Sequence, residues 1–156
     1  MSEAAQQTRQ YTTFYLDDMF FGVEVRKVQE VLRYQPMTPV PLAPPIIRGL
    51  INLRGQIVTA VDLRRRLGLS PRHSAELPLN VVVRSDDGAF SLLVDEIGDV
   101  LEVNPELYEA PPDNMSAQQR EMIEGVYKME GRLLLVLATD QVMAGVTDLH
   151  FESDGG

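Results

Sequence analysis

The chain has 156 residues, 44% of them hydrophobic, which suffices for one domain with a core but not for two ordinary domains. The absence of cysteine excludes disulfides, thiolate metal sites and a cysteine nucleophile. A net charge of −9 at pH 7 disfavours nucleic acid and direct membrane contact, and the lack of a long apolar stretch predicts a soluble, cytoplasmic protein.

Short apolar runs separated by glycine, proline and acidic breaks predict a mainly β chain. Four hairpins are expected in chain order, each with turn-forming residues between two runs. They pair 11–16 with 20–25, 50–53 with 56–61, 81–83 with 90–94, and 125–129 with 132–137. We interpret Asp17, Asp18, Asp86 and Asp87 as turn formers and not as metal ligands.

Only a few short helices are predicted. Asp62 can cap a helix over 63–67, another helical stretch is expected over 139–144, and 25–31 should form one or two helical turns. The proline-rich connectors at 34–45 and 103–121 disfavour regular strand pairing. Flexible tails are expected at 1–9 and 147–156, which offer little that could be buried.

The hairpins form two copies of one unit. The pattern around Asp17, Phe21 and Val28 recurs 69 residues later, and the pattern around Gly49 recurs 76 residues later at Gly125. This duplication predicts one domain over 10–146 built from two β-barrel subdomains, about 11–67 and 79–144. An exchange of strands between the two subdomains stays open.

Few residues could support catalysis. The two histidines, His73 and His150, have no neighbouring nucleophile and carboxylate in the sequence, so we interpret both as solvated. A paired-acid hydrolase could still use Asp95, Glu96, Asp99 and Glu102, although solvated positions on a strand or turn are favoured. Phosphate-binding and calcium-binding motifs are absent from the sequence. We therefore predict a binding protein with no cofactor and no enzymatic activity.

Four segments together resemble those of a known family. The hairpin Asn52-Leu53-Arg54-Gly55 with its following strand is the most specific part. The segments are KVQEV at 27–31, IRGLINLRG at 47–55, VTAVDLR at 58–64 and VDEIGDVL at 94–101. Over residues 10 to 145 the chain resembles the CheW family. That resemblance implies two five-stranded barrels, each similar to a Src-homology-3 barrel, packed around a shared hydrophobic core with a few short helices.

The resemblance also implies a function. CheW-like proteins are adaptors that couple the cytoplasmic tips of methyl-accepting chemoreceptors to the regulatory domain of the histidine kinase CheA. It implies a coupling site at Val28, Glu30, Gly49 and Arg54, in which the glutamate and the arginine interact. A cytoplasmic monomer is expected, recruited through its partners to membrane-associated receptor clusters.

Several alternatives stay open at this point. Arg54 could be a solvated hairpin residue, and Gly49 could be required by a backbone constraint that it shares with Gly125. The receptor tip should lie in an apolar groove between the barrels, for which Val25, Val28, Ile97 and Val100 are candidates unless they belong to the core. The same adaptor could serve surface motility or second-messenger signalling, or the chain could be a CheW-like module of a larger protein.

Overall fold

The computed structural model describes residues 9–71, 76–86 and 88–144. Within them, eleven strands are interrupted by the helices α1 (Leu63–Arg66) and α2 (Ala117–Met122) and by 3-10 turns at Val25–Lys27 and Pro105–Leu107. Residues 139–144 are also α-helical. The strands are β1 (Arg9–Leu16), β2 (Met19–Glu24), β3 (Val28–Leu32), β4 (Ile47–Leu53), β5 (Gln56–Asp62), β6 (Leu79–Ser85), β7 (Gly88–Val94), β8 (Glu96–Val103), β9 (Tyr108–Glu109), β10 (Ile123–Met129) and β11 (Arg132–Leu137).

The strands form two sheets. Sheet one has the order β8-β1-β2-β11-β10-β9, and sheet two has the order β3-β6-β7-β5-β4. Neighbouring strands are antiparallel except for two parallel pairs, β2 with β11 and β5 with β7. One parallel pair joins the hairpin β1–β2 to β10–β11, and the other joins β6–β7 to β4–β5, so the two sheets repeat one arrangement.

Each sheet combines strands from both sequence repeats. The hairpin β1–β2 of the first repeat lies between β8 and β11 of the second repeat. The hairpin β6–β7 of the second repeat lies between β3 and β5 of the first repeat. The hairpins are thus paired across the repeats, while the subdomain boundaries 11–67 and 79–144 stay a prediction.

Three clusters of buried side chains hold the sheets. The shared core takes Phe14 and Phe21 from sheet one, whose rings stack 5.5 Å apart, and Val81, Val83 and other residues from sheet two. The interior of sheet one is aromatic, with Tyr11, Phe20 and Tyr127 among its members. The interior of sheet two is aliphatic, formed by Ile51, Leu53, Val58, Ala60, Val82 and Leu93.

The run Val81-Val82-Val83 shows how the sequence produces this arrangement. Successive side chains of a strand point to opposite faces. Val81 and Val83 therefore face the shared core, whereas Val82 faces the interior of sheet two. A strand buried on both faces is apolar without alternation, as this run is.

The mainly β class, with two sheets and few short helices, is confirmed. Sheet one gains a sixth strand, the two-residue β9, and the backbone pairing leaves both sheets open at their edges. Helical turns over 25–31 are wrong beyond Lys27, because the β-branched Val28 and Val31 pair with β6 as strand β3. Asp62 caps α1 as predicted, since its side chain accepts a hydrogen bond from the Arg65 backbone N–H.

Some predictions fall outside the described residues. The tails predicted at 1–9 and 147–156 lie there, apart from Arg9, which begins β1. His73, His150 and Asp87 also lie outside the description. Within the described segments, every helix is too short or too polar to cross a lipid bilayer.

Candidate functional site

Two of the four predicted site residues meet where the edges of sheet two approach each other. Arg54 lies in the turn between β4 and β5, at the opposite edge of the sheet from β3. Its guanidinium nevertheless donates a hydrogen bond to the Glu30 carboxylate on β3. Beside it, the Gln29 amide nitrogen donates to the Gln56 amide oxygen at 3.0 Å. Side chains therefore join β3 to the β4–β5 hairpin, with which it forms no backbone pairing.

The turn itself presents Arg54. Arg54 and Gly55 both have positive φ, 52° and 89°, which is the backbone of a tight hairpin turn of type I′. The Asn52 side-chain oxygen accepts a hydrogen bond from the Gly55 N–H at 2.9 Å, which stabilises the turn. The arginine is thereby held at the hairpin tip, facing solvent and β3.

The Glu30–Arg54 pair is partly solvated. The Arg54 side chain is 71% exposed and that of Glu30 is 19% exposed. An ion pair with this exposure contributes about 0–1 kcal/mol to the free energy of unfolding. The pair is therefore worth little to stability, and its main effect is on the position of the hairpin tip relative to β3.

Val28 begins β3 directly after the 3-10 turn. Its N–H donates to the Val25 carbonyl, and its own carbonyl accepts from Arg84 Nη1 at 3.1 Å. The same Arg84 nitrogen donates to the Arg26 carbonyl at 2.9 Å. Val28 is half-buried and packs against the shared core. Arg84, which the sequence did not single out, therefore fixes the start of the strand that carries the predicted site.

Gly49 lies against the first proline-rich connector. A Cβ at this position would be 2.7 Å from the Thr38 carbonyl oxygen, because Thr38 and Leu50 exchange two backbone hydrogen bonds of 2.8 Å. The equivalent Gly125 has the same kind of neighbour: a Cβ there would be 2.0 Å from Tyr108 Cζ on β9. Both glycines thus let a connector pack on the strand, so Gly49 has a structural role whatever its role in binding.

The four apolar residues expected to line a partner groove differ in their surroundings. Val28 and Ile97 pack against the shared core. Val100 on β8 is 56% exposed. Val25 borders a polar cleft of sheet one, lined also by Arg9, Gln10, Glu24, Arg26 and Glu102. Val28 and Ile97 therefore belong at least partly to the core, as the alternative interpretation held.

The acidic residues considered for catalysis have other partners or face solvent. Asp95 accepts a hydrogen bond from Arg64 Nη2 at 2.7 Å and from the Asp17 N–H at 2.8 Å. Glu96, Asp99 and Glu102 are exposed on β8. Within the described residues, no group of three or more His, Cys, Asp or Glu side chains could hold a metal ion.

Arg64 is the centre of a charge network that sequence reasoning missed. It is buried, and besides Asp95 it contacts the Asp17 carboxylate and donates to the Ser70 carbonyl at 2.7 Å. The hydrogen bond to Asp95 raises the pKa of Arg64, against the effect of burial, so the guanidinium stays charged. The network ties α1 of the first repeat to the β1–β2 turn and to the end of β7. The sequence signal was the segment Asp62-Leu63-Arg64, but nothing in it indicated burial.

Comparison with known proteins gives consistent results. The model of the CheW-like domain family matches residues 10–146. The chain is 32% identical over 134 residues to the chemotaxis protein CheW of Rhizobium meliloti, covering 86% of each chain. It is 29% identical to the chemotaxis protein CheW of Bacillus subtilis, covering 83% of each. The solved structure of the scaffolding protein TtCheW from Thermoanaerobacter tengcongensis matches with a TM-score of 0.76 at 25% identity, over 84% of this chain and 89% of that one.

Proposed function

The chain belongs to the CheW-like domain family, and from that premise we propose that it is a non-enzymatic adaptor of chemotaxis signalling. It couples the cytoplasmic tips of methyl-accepting chemoreceptors to the regulatory domain of the histidine kinase CheA. The protein works in the cytoplasm, where these partners recruit it to receptor clusters at the membrane. It is a monomer in isolation and requires no cofactor.

The observation that carries this proposal is the contact between Glu30 and Arg54. Two sites 24 residues apart in the chain, on opposite edges of sheet two, meet at an exposed position. The pair adds at most about 1 kcal/mol to stability. An interaction of low energetic value that sets the shape of an exposed surface is what a binding site requires, since binding depends on the preorganised geometry of a few contacts.

Val28 and Gly49 complete the proposed coupling site in different ways. Val28 fixes the start of β3 by packing inward, so its substitution would move Glu30 through the backbone. Gly49 lets the first connector lie close to β4, the first strand of the hairpin that presents Arg54. Neither residue needs to touch the receptor to affect coupling. Both maintain the surface on which Glu30 and Arg54 lie.

Catalysis is disfavoured by the same side chains that a hydrolase would need. Asp95 shares Arg64 with Asp17, which holds its carboxylate in a structural network. The other acidic residues of this segment are exposed on β8, and only Glu102 of them borders the polar cleft beside Arg9 and Arg26. A general acid works best in a site that excludes water, and an exposed strand does not provide one.

The proposal is tested by pull-down of the full chain with a receptor tip fragment and with a kinase regulatory fragment from the same genome. The variants are Arg54→Ala and Glu30→Ala. Lys128→Ala is the matched control, because Lys128 is also 71% exposed and forms a 3.6 Å cross-strand ion pair with Glu109 in sheet one. Circular dichroism checks that each variant is folded.

We expect the wild type to bind both fragments, and the two site variants to lose the receptor fragment while keeping the kinase fragment. Lys128→Ala should behave as the wild type. Failure of the folded wild type to bind either fragment would refute the coupling role for this pathway. Loss of both partners by the site variants would instead assign the pair to overall structure. Adaptor function in a pathway with another output stays a prediction, which the genes beside this one would test.

A further inference from the structure

Strand β3 contains one residue more than the stretch of β6 that it pairs with. The three steps from Val28 to Val31 on β3 are paired with only two steps on β6, which leaves Gln29 without a partner in the register. An extra residue of this kind is a β-bulge, which changes the direction of the side chains beside it. The bulge lies between two residues of the predicted coupling site, Val28 and Glu30.

The bulge determines which face of the strand carries Glu30. Residues two positions apart on a regular strand share a face. Val28 packs against the shared core, whereas Glu30 is paired with Val82, whose side chain faces the interior of sheet two. That interior is formed in part by β4 and β5, whose hairpin presents Arg54. With regular pairing Glu30 would face the shared core, as Val28 does, and its contact with Arg54 would be lost.

The second repeat has the same bulge and stabilises it with a buried hydroxyl. Three steps on β8, from Ile97 to Val100, are paired with two steps on β1. The Thr13 hydroxyl, which is buried, donates a hydrogen bond to the Asp99 carbonyl. A Cβ at Gly98 would be 2.4 Å from Thr13 Oγ1, so the glycine makes room for this hydroxyl.

The first repeat has no such hydroxyl at the equivalent position. The residue 69 positions after Thr13 is Val82, whose side chain has no hydrogen-bond donor. Two residues further along β6, Arg84 supplies a donor instead. Its Nη1 donates to the Arg26 carbonyl at 2.9 Å and to the Val28 carbonyl at 3.1 Å, directly before the extra residue. The bulge of the first repeat is therefore held by an exposed side chain, and that of the second repeat by a buried one.

We propose that Arg84 is a positioning residue of the coupling site, which holds the bulge in β3 and thereby directs Glu30 towards Arg54. The inference rests on the proposed coupling function and adds a residue to the set that maintains its site. Arg84 needs no contact with the receptor, because its effect passes through the backbone of β3. Since binding depends on preorganised geometry, loss of these two hydrogen bonds weakens binding even where the fold is intact.

Substitutions at Arg84 separate its hydrogen bonds from its charge. Arg84→Met removes every donor and keeps an apolar stem, whereas Arg84→Lys keeps one charged nitrogen that can donate to both carbonyls. Arg26→Met is the charge control, because it removes a cation that is 81% exposed and leaves the Arg26 carbonyl in place. Thr13→Val is the structural control, because it removes the side-chain donor at the equivalent bulge of sheet one.

The first measurement is the dissociation constant of the full chain for the receptor tip fragment, with circular dichroism to check folding. Arg84→Met should raise this constant on the order of tenfold. Arg84→Lys and Arg26→Met should stay within about twofold of the wild type. The kinase fragment should bind Arg84→Met as it binds the wild type.

The second measurement needs no receptor. The NMR signals of the Arg54 Nε–H and of the Gln29 side-chain amide report the contacts between β3 and the β4–β5 hairpin. Both signals should shift in Arg84→Met, because the bulge that directs these side chains is released. Both should keep their wild-type positions in Arg84→Lys and in Thr13→Val.

A loss of receptor binding by Arg26→Met equal to that of Arg84→Met would assign the effect to charge and overturn the inference. Unmoved NMR signals in Arg84→Met would also overturn it, and so would loss of the kinase fragment by that variant. Weak receptor binding by Arg84→Lys with wild-type signals would mean that the receptor contacts the guanidinium itself, against a positioning role.

The two levels of the proposal fail in different ways. If Arg54→Ala loses the receptor while Arg84→Met keeps it, the coupling function stands and this inference alone is wrong. If the wild type does not bind the receptor fragment at all, the coupling function fails and the role of Arg84 in it fails as well.

Discussion

The two sequence repeats share their backbone but differ in the chemistry of the equivalent positions. Both have the same hairpins, the same register shift before Gly49 and before Gly125, and a connector packed on each glycine. Yet Arg54 and Glu30 of the first repeat correspond to Glu130 and Asp99 of the second, which are both acidic. The duplicated features therefore report the fold, and the features that differ between repeats point to function.

We expect the largest effect on the free energy of unfolding at a buried residue whose equivalent in the second repeat is exposed. Buried Arg64 corresponds to exposed Asp140 in the second repeat. We expect Arg64→Met to lower the free energy of unfolding by about 3 kcal/mol, because Asp95 and Asp17 would lose their shared cation. Asp140→Met should change it by less than about 0.5 kcal/mol. Urea denaturation measures both values.

A double variant separates charge from packing in this network. Adding Asp95→Asn to Arg64→Met removes a carboxylate that would otherwise lie beside an apolar side chain. The double variant should be more stable than Arg64→Met alone. A cost for Arg64→Met below about 1 kcal/mol would show that the network is not important for stability.

The second effect compares the two equivalent glycines. A Cβ at Gly49 would meet the backbone oxygen of Thr38, whereas a Cβ at Gly125 would meet the far end of the Tyr108 ring, which is 38% exposed. A side chain at the surface can move aside more easily than a hydrogen-bonded backbone. Gly49→Ala should therefore cost about 2 kcal/mol in urea denaturation and Gly125→Ala about 1 kcal/mol.

Gly125, where an added Cβ would have the shorter contact, is thus predicted to lose less stability on substitution than Gly49. Combining Gly125→Ala with Tyr108→Ala should cost less than the sum of the two single changes, because the second change removes the obstacle to the first. A larger cost for Gly125→Ala than for Gly49→Ala would mean that the Tyr108 ring is held as firmly as a backbone segment.

These comparisons show which parts of the fold were predictable. The four hairpins and the α1 cap depend on residues close together in the sequence, so patterns of apolar and turn residues identified them. The pairing of β3 with β6 and of β8 with β1 joins distant segments, and its register depends on how both strands are buried. For that reason 25–31 was misread as helical beyond Lys27, and the strand exchange could only be left open.

The candidate site was predictable to a different extent. Its four residues came from the family resemblance and not from a chemical motif, because Val28, Glu30, Gly49 and Arg54 have no reactive arrangement in the sequence. The contacts of Arg84 with the carbonyls of Arg26 and Val28 could not be foreseen, since an arginine that follows an apolar run in the sequence has no preferred partner. Knowing where an exposed side chain binds requires the tertiary structure.

The third expected effect is a loss of stability at high pH that should involve the interior of sheet one but not that of sheet two. Burial, with the hydrogen bond to Tyr127, raises the pKa of Tyr11 above its ordinary value of about 10. Below that value Tyr11 is neutral in both folded and unfolded chains, so its contribution to stability is complete. As the pH rises further, the unfolded chain ionises Tyr11 first, and the free energy of unfolding falls by up to about 1.4 kcal/mol per pH unit.

Tyr11→Phe removes this ionisation and should reduce the loss of stability between about pH 8 and about pH 11. The aliphatic cluster inside sheet two has no equivalent group. Val82→Ala in that cluster should lower stability by a similar amount at both pH values, because it removes only apolar contacts. An unchanged pH profile for Tyr11→Phe would place the alkaline sensitivity elsewhere in the chain.

The smallest expected effect on stability comes from the charge difference between the tips of the β4–β5 and β10–β11 hairpins. Arg54→Glu gives the first tip the residue found at Glu130 in the second, and it should cost no more than about 1 kcal/mol in urea denaturation. Receptor binding should nevertheless be lost. The exchanged pair, Glu30→Arg with Arg54→Glu, restores opposite charges without changing the net charge of the protein. Recovery of receptor binding by the exchanged pair would show that the ion pair acts by positioning the hairpin. Recovery of stability without binding would show that the receptor contacts Arg54 itself, because the surface would then have its charge and its shape but not the guanidinium at the tip.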